Sequence, residues 1–213
     1  PVNIRRHLMA LQSLLRDTRH DFLFRPGPLC PTPNFQNLDA QPEQDMDALL
    51  QSWIGGEKPV TILDLSGVPV SILMDLVGVL IRLLFDALFW ARFRSEGGRT
   101  RPLLFVLEEA HAYLNPGNES AASAAARRVV KEGRKYGIGA MIVSQRPAEI
   151  DTTILSQCGT MFAMRLANAS DRSHVTSTVS DNLEGLFKML PALRTGEAII
   201  VGEAVHLPLR ALI

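Results

Sequence analysis

An apolar run that ends in two acids, Leu103–Leu107 followed by Glu108 and Glu109, constrains this 213-residue chain most strongly. Five apolar residues after Pro102 have the length of a strand buried on both faces, and such strands occur in parallel sheets covered by helices. A carboxylate leaving a buried strand must be hydrated, paired or bound to a metal ion. Ligands of open α/β sheets bind just outside the carboxyl ends of strands. Glu108 and Glu109 are therefore the first candidates for a functional site, and a solvated turn is the alternative.

Other apolar runs alternate with helical patterns along the chain, which predicts an α/β fold with a largely parallel sheet flanked by helices. We expect further strands at Val60–Leu65, Ile138–Val143 and Thr160–Leu166, and a closing hairpin of Glu197–Val201 and Val205–Leu209 around Gly202. The expected helices are Asn3–Asp17, Glu43–Ile54, Val70–Trp90, Glu119–Lys135 and Ala169–Thr178. The prolines in residues 21–39 predict a long loop there.

Composition excludes several classes of protein. The 22 basic and 22 acidic residues balance, so any basic surface must be local. Cys30 and Cys158 are the two cysteines and lack metal-site spacing, which predicts neither a disulfide framework nor a zinc site and fits the cytoplasm. Three charged residues interrupt Val70–Trp90, so we expect a mostly buried helix rather than a membrane span. The sequence thus predicts a cytoplasmic globular protein.

Polar residues lie at the ends of three of the expected strands: Glu108 and Glu109, then Gln145 and Arg146, then Arg165. Carboxyl ends of parallel strands meet at one edge, so we expect these motifs to converge. Two acids, an amide and a cationic helix end are the groups needed to hydrolyse a nucleoside triphosphate. The cations would come from a basic helix face formed by Arg127, Lys131, Arg134 and Lys135. The alternative is that this face is a solvated helix surface without a functional role.

Three ordered motifs resemble those of HerA-type DNA-translocating ATPases, a branch of the RecA-like motors. They are Glu108–His111 (EEAH), Glu132–Gly137 (EGRKYG) and Val143–Pro147 (VSQRP). The resemblance covers most of 58–213 and implies a hexameric ring that moves double-stranded DNA, using ATP and magnesium. It also implies a nuclease or effector partner, in DNA end processing or anti-phage defence.

The resemblance assigns roles to individual residues. Glu108 would lie on the magnesium side of the site, where many relatives carry aspartate, and Glu109 would be the catalytic glutamate. Gln145 would sense the γ-phosphate, and Arg134 would be an arginine finger given to the neighbouring subunit. Further candidates for phosphate sensing or subunit contact are Arg146 and Arg165.

A phosphate-cradling GxxxxGK[ST] loop is absent from the printed sequence, since Gly55-Gly56-Glu57-Lys58 lacks the spacing. We therefore expect that loop upstream of Pro1, which makes residues 60–213 the C-terminal part of a RecA-like core that is incomplete on its N-terminal side. Residues 1–59 would be a helical and loop element, as an insertion or helical subdomain. The fragment alone is expected to be inactive.

Other functions remain open from the sequence. DEAH-box helicases lead with aspartate and lack the Ser-Gln-Arg-Pro element, whereas conjugation and secretion motors share the expected architecture. A non-catalytic oligomerisation or partner-docking module would also dispense with the phosphate loop. A metal hydrolase built on Glu108, Glu109 and His111 lacks further ligands at fixed spacing.

Overall fold

The computed structural model describes residues 2–18, 50–95, 97–117, 120–179 and 183–213. The chain divides into two compact units, Pro1–Leu73 and Met74–Ile213. The predicted loop at 21–39, Cys30 and most of the predicted helix at 43–54 lie outside the described residues. The predicted domain boundary at residues 59 and 60 stays a prediction.

The first unit contains helix α1, Val2–Arg16, as its spacing predicts, and a short π-helical turn at Gln51–Gly55. The strand predicted at Val60–Leu65 is wrong: these residues are irregular, and Val60 and Ile62 are 69% and 84% exposed. A strand needs a neighbour that satisfies its backbone N–H and C=O groups, and no described residue of this unit supplies one. The residues at 60–65 therefore show strand propensity without a strand.

Asp64, at the end of this apolar run, caps a turn. Its Oδ1 accepts a hydrogen bond from the backbone N–H of Ser66 at 3.0 Å, which holds the pKa of this exposed carboxyl below its ordinary value. The Asp64 side chain therefore has a turn-capping role in the structure.

The second unit begins within helix α2, Val70–Trp90. The helix has the bounds that the sequence predicts. Its buried side chains recur at helical spacing, at Val77, Ile81, Leu84, Phe85 and Leu88. The three charged residues of the helix, Asp75, Arg82 and Asp86, are not among these buried positions. No helix in the described ranges has the length and apolar character needed to cross a membrane.

The other elements follow in chain order. Strand β1 is Leu103–Leu107, helix α3 is Ala121–Glu132, strand β2 is Ile138–Ile142, and helix α4 is Thr152–Leu155. Then come strand β3, Thr160–Ala163, helix α5, Ala169–Thr176, and helix α6, Glu184–Phe187. Strands β4, Glu197–Gly202, and β5, Leu209–Leu212, close the unit. This is an α/β fold, as predicted.

The strands form two small sheets instead of one large one. Strands β1 and β2 pair in parallel, whereas β3, β4 and β5 form an antiparallel sheet in that order. The predicted largely parallel sheet is therefore right only for β1 and β2. The hairpin partner begins at Leu209 and not at Val205, because Pro208 has no N–H to donate to a ladder.

Hydrophobic packing holds the antiparallel sheet against helices α5 and α6. Its fully buried side chains include Phe187, Leu190 and Ile199, and Val175 of α5 packs in the same cluster. Helices α2 and α3 also approach closely, since a Cβ on Gly78 would overlap the backbone of Ala121.

Candidate functional site

The parallel pairing of β1 and β2 brings the first two motifs together. Leu103 lies opposite Ile138 and Leu107 opposite Ile142, so both strands end at one edge. The ladder continues beyond them, because the Ala110 N–H donates to the Val143 carbonyl at 3.0 Å. The residues after the two strands are therefore held side by side.

Glu109 and Gln145 meet at this edge, as the sequence predicts. The Gln145 Nε2 donates to Glu109 Oε1 at 2.9 Å, across 36 residues of sequence. Both side chains are exposed, which leaves the carboxylate accessible to solvent. A carboxylate and an amide with this geometry can position a water molecule between them and an incoming phosphate.

Glu109 itself has a left-handed backbone, with φ 46° and ψ 43°. This conformation costs a non-glycine residue about 1–2 kcal/mol, so the surrounding structure must enforce it. The left-handed turn takes the chain from strand β1 directly into a 3-10 helix, Ala110–Ala112, whose Ala110 is fully buried. The backbone strain therefore lies at the residue for which a catalytic role is predicted.

His111 contacts the second oxygen of the same carboxylate. Its Nδ1 lies 3.3 Å from Glu109 Oε2 and 3.2 Å from the Ser144 hydroxyl. Ser144 in turn accepts the backbone N–H of Arg146 at 3.0 Å. His111 and Gln145 thus hold the Glu109 carboxylate from two sides.

Glu108 has a different environment from Glu109. Its carboxylate is exposed and forms no recorded hydrogen bond or ion pair with any residue in the described ranges. Mg²⁺ binds through one or two carboxylates together with waters and substrate phosphates. The free carboxylate of Glu108 therefore fits a magnesium ion, bound directly or through a water.

Tyr113 anchors the turn that carries both acids. Its hydroxyl donates to the backbone carbonyl of Glu108 at 2.8 Å, and its ring is buried. Burial, and then the charges of Glu108 and Glu109, raise the pKa of Tyr113 to about 12. Sequence reasoning missed this anchor, because an aromatic residue four positions after the acids has no distinguishing pattern.

We expect the Tyr113→Phe variant to lower the free energy of unfolding by about 1 kcal/mol at pH 7, because the Glu108 carbonyl loses its donor. The folded-state pKa lies above the ordinary value of about 10, so this tyrosine stabilises the fold below pH 10 and loses that contribution as the pH rises toward 12. Urea unfolding of both proteins at pH 7, 10 and 12 should show the difference between them narrowing above pH 10. A difference that stays constant with pH would contradict the assignment.

The loop after β2 is fixed by helix α5. Asp171 is buried and its Oδ1 accepts the Ala148 N–H at 3.1 Å, while the His174 Nε2 lies 3.2 Å from the Ile150 carbonyl. These contacts hold the segment that contains Gln145. The sequence gives no signal for them, because they depend on how helix α5 packs against the loop after β2, which no local pattern encodes.

The structure does not bring the other predicted cations to Glu109. Arg146 pairs with Glu149 at 3.0 Å within its own turn, and both side chains are largely exposed. Strand β3 ends at Ala163 and belongs to the antiparallel sheet, so Arg165 follows a strand that is not paired with β1 or β2. The expected convergence of three strand ends therefore holds for two of them.

Arg134 lies at the opposite edge of the β1–β2 pair. It belongs to the exposed part of a 3-10 helix, Gly133–Tyr136, that leads into β2, and Gly137 ends this helix with a left-handed φ of 71°. The five-residue strand that separates this edge from Gln145 spans about 16 Å. Arg134 thus cannot contact Glu109 of its own chain.

The predicted basic helix face is only partly free. Arg127 pairs with Asp151 at 2.6 Å; although burial raises the pKa of Asp151, the Thr153 backbone N–H and then this ion pair hold it below its ordinary value. Lys131, Arg134 and Lys135 are exposed. Arg127 is therefore a structural cation, and the other three remain available for contacts outside the chain.

Sequence comparison relates the chain to HerA proteins. The DNA double-strand break repair helicase HerA of Sulfurisphaera tokodaii is 37% identical over 150 residues, which cover 70% of this chain and 30% of that protein. HerA of Sulfolobus acidocaldarius is 42% identical over 118 residues, covering 55% of this chain and 24% of that protein. The chain thus matches less than a third of the length of either relative.

The chain was also compared with protein-family models and with solved structures. No protein-family model matches the chain. The genome packaging NTPase B204 from Sulfolobus turreted icosahedral virus 2, solved in complex with AMPPCP, aligns with a TM-score of 0.47 and 12% identity, over 62% of this chain and 59% of that one. That score is too low to support a conclusion about fold. The HerA resemblance predicted from the three motifs is nevertheless confirmed by the sequence matches, and the chain is HerA-like.

Proposed function

We propose that this chain contributes the carboxylate and sensor side of the ATP-hydrolysing site of a HerA-type DNA translocase or helicase. The observation that carries the proposal is the Gln145 to Glu109 hydrogen bond of 2.9 Å between the ends of two parallel strands. Names of the relatives, DNA double-strand break repair helicases, support DNA as the substrate. The cofactors would be ATP and magnesium.

Each residue has a separate task in this proposal. Glu109 accepts a proton from the attacking water, and Gln145 and His111 hold its carboxylate in position. Glu108 would hold magnesium, which supplies charge neutralisation on the phosphates when bound. The candidates for contacting phosphates or a neighbouring subunit are Arg146 and Arg165.

The phosphate-binding loop has to come from outside the 213 residues, because they contain no GxxxxGK[ST] motif. An exposed apolar surface supports this part of the proposal. On one face of the β1–β2 pair, Leu104 and Val106 are 55% and 51% exposed, and Met141 is 48% exposed. Parallel sheets are normally covered on both faces, so further protein is expected to pack there.

The assembly would be a homohexameric ring in the cytoplasm that moves double-stranded DNA together with a nuclease or effector protein, in end processing or anti-phage defence. Arg134 is exposed, and the five-residue strand β2, about 16 Å long, separates it from the edge that carries Glu109, which supports a ring in which neighbouring subunits complete each other's sites. The alternative is that the chain belongs to an ATPase motor of a conjugation or secretion system.

The purified 213-residue chain is expected to hydrolyse no measurable ATP, because it lacks a loop that cradles the phosphates. Phosphate release, nucleotide titration and mass in solution would be measured together. Robust turnover that disappears in the Glu109→Gln variant would overturn this expectation. A non-catalytic docking module would be favoured instead if the chain forms stable oligomers that bind no nucleotide, and if a longer protein that includes this chain binds none either.

A further inference from the structure

A short segment between α2 and β1, Trp90–Arg101, concentrates arginine and exposed aromatic side chains; we call it the basic–aromatic segment. It holds four arginines in twelve residues of a chain with no net charge. Trp90 is 74% exposed and Phe93 is 82% exposed. Its one acid, Glu96, lies outside the described residues.

The arginines of this segment are not neutralised by described neighbours. Arg94, Arg99 and Arg101 are exposed, and none of them forms an ion pair with a residue in the described ranges. Arg127 and Arg128 on the adjacent helix α3, in contrast, both pair with aspartates, at 2.6 and 3.0 Å. The basic–aromatic segment therefore presents positive charge that remains available to an anionic partner.

The aromatic rings are held in place before any partner binds. The guanidinium of Arg92 lies 4.5 Å from the ring centre of Phe89 and 4.6 Å from that of Phe93, and its Nη1 donates to the Phe89 carbonyl at 2.8 Å. Trp90 packs edge-on against Phe89, with ring centres 5.2 Å apart. Phe93 and Trp90 thus form a preorganised exposed surface, which reduces the entropy lost on binding.

The segment packs against a second basic turn. Gly98 is buried against Tyr136, and a Cβ at this position would overlap the Tyr136 carbonyl. That contact places the segment beside the 3-10 helix that carries exposed Arg134 and Lys135. The positive surface therefore extends across two neighbouring segments, at the edge of the β1–β2 pair opposite Glu109.

We propose that the basic–aromatic segment binds single-stranded DNA, with its arginines on phosphates and with Trp90 and Phe93 stacked on bases. Flat exposed rings beside unpaired guanidinium groups match a ligand that has both phosphates and accessible base faces. An acidic protein surface would satisfy the arginines but not the rings. The choice of DNA rests on the proposed function, and the choice of single strands rests on the exposed rings, because the bases of a duplex are already stacked. The location rests on the side chains described above.

Tryptophan fluorescence tests the contact directly. The chain has two tryptophans, so the Trp53→Phe variant leaves Trp90 as the single reporter. Titration with an oligothymidylate should quench its fluorescence to saturation, and added salt should reverse the quenching. Poly-glutamate of similar length should not quench it. Absence of quenching by the oligonucleotide would overturn the proposal, and equal quenching by poly-glutamate would favour an acidic protein partner instead.

A charge-matched pair of triple variants tests the arginines. Oligothymidylate affinity, measured by fluorescence anisotropy, should fall at least about tenfold, and the slope of log affinity against log salt should decrease by about 2, when three arginines are neutralised. The test variant carries glutamine at Arg94, Arg99 and Arg101; the control carries it on helix α1, at Arg5, Arg6 and Arg16. Equal losses in both would overturn the proposal.

Two further measurements control for misfolding and for the effect of charge. Circular dichroism would verify that both triple variants fold like the wild type. The Phe93→Leu variant, which keeps the charge, should weaken binding to single strands more than to duplex DNA, because duplex bases are already stacked; an equal effect on both would contradict base stacking. No readout depends on ATP turnover, so the proposal can fail while the proposed ATPase function stands, and the reverse.

Discussion

We expect the Glu109→Gln variant of the protein, assembled with its phosphate-binding loop, to lose about 100- to 10,000-fold in kcat for ATP hydrolysis. The substitution removes the group that accepts a proton from the attacking water. Its amide oxygen can still accept the Gln145 hydrogen bond that is made to Oε1 at 2.9 Å in the wild type. The geometry of the turn should therefore survive while the chemistry is lost.

Steady-state hydrolysis and separate nucleotide-binding measurements distinguish these two effects. KM and ATP affinity should change little, because Glu109 contacts the reacting water and not the phosphates in the ground state. Glu203→Gln is a matched control, since it removes another exposed carboxylate at the end of β4, away from β1 and β2. Unchanged kcat in Glu109→Gln, or an equal loss in Glu203→Gln, would remove Glu109 from the catalytic role.

The chemical side of the site could be predicted from sequence because strand pairing determines it. An apolar run of five residues forms a strand, and a second such run 35 positions later forms its parallel neighbour, with Leu103 opposite Ile138. Once these ends are aligned, the residues that follow them, Glu109 and Gln145, have to meet. Local patterns therefore predicted a contact across 36 residues of sequence.

The supports of the site could not be predicted in the same way. Tyr113 and Asp171 act through a single hydrogen bond each, to a backbone carbonyl and a backbone N–H. Their partners depend on how the turn after β1 and helix α5 pack, which no local pattern encodes. Arg127 shows the same limit. It lies on the predicted basic helix face, but its charge is paired with Asp151, the N-cap residue of helix α4.

Strand propensity also failed where tertiary pairing was needed. Val60–Leu65 was also predicted to be a strand, although Thr61 and Asp64 interrupt its apolar residues, and only Leu103–Leu107 has a neighbouring strand among the described residues. The backbone of an extended segment is satisfied only by pairing, so propensity alone does not produce a strand. The predicted largely parallel sheet is therefore limited to β1 and β2, for this reason and because β3 pairs antiparallel with β4.

The second large effect is expected at the opposite edge of the same strands. Arg134→Ala should lower kcat about 1000-fold or more in the assembled protein, the range of an arginine finger, with ATP binding largely retained. Arg134 is exposed, and a five-residue strand of about 16 Å separates it from the catalytic edge of its own chain. Its charge can therefore reach developing negative charge only in a neighbouring subunit. Lys131→Ala, which removes another exposed cation from the preceding helix, should leave kcat nearly unchanged.

Mixing the two inactive variants tests this sharing between subunits. In rings made from equal amounts of Arg134→Ala and Glu109→Gln subunits, about a quarter of the interfaces combine an intact glutamate with an intact arginine. Hydrolysis should therefore reappear on mixing, whereas neither variant alone recovers it. A chain carrying both substitutions should not restore activity when mixed with Arg134→Ala, because it offers no intact arginine. If mixing restores nothing although native mass spectrometry shows mixed rings, or if Arg134→Ala alone keeps its activity, then Arg134 does not serve a neighbouring site, and its exposed charge at the edge opposite Glu109 has another partner.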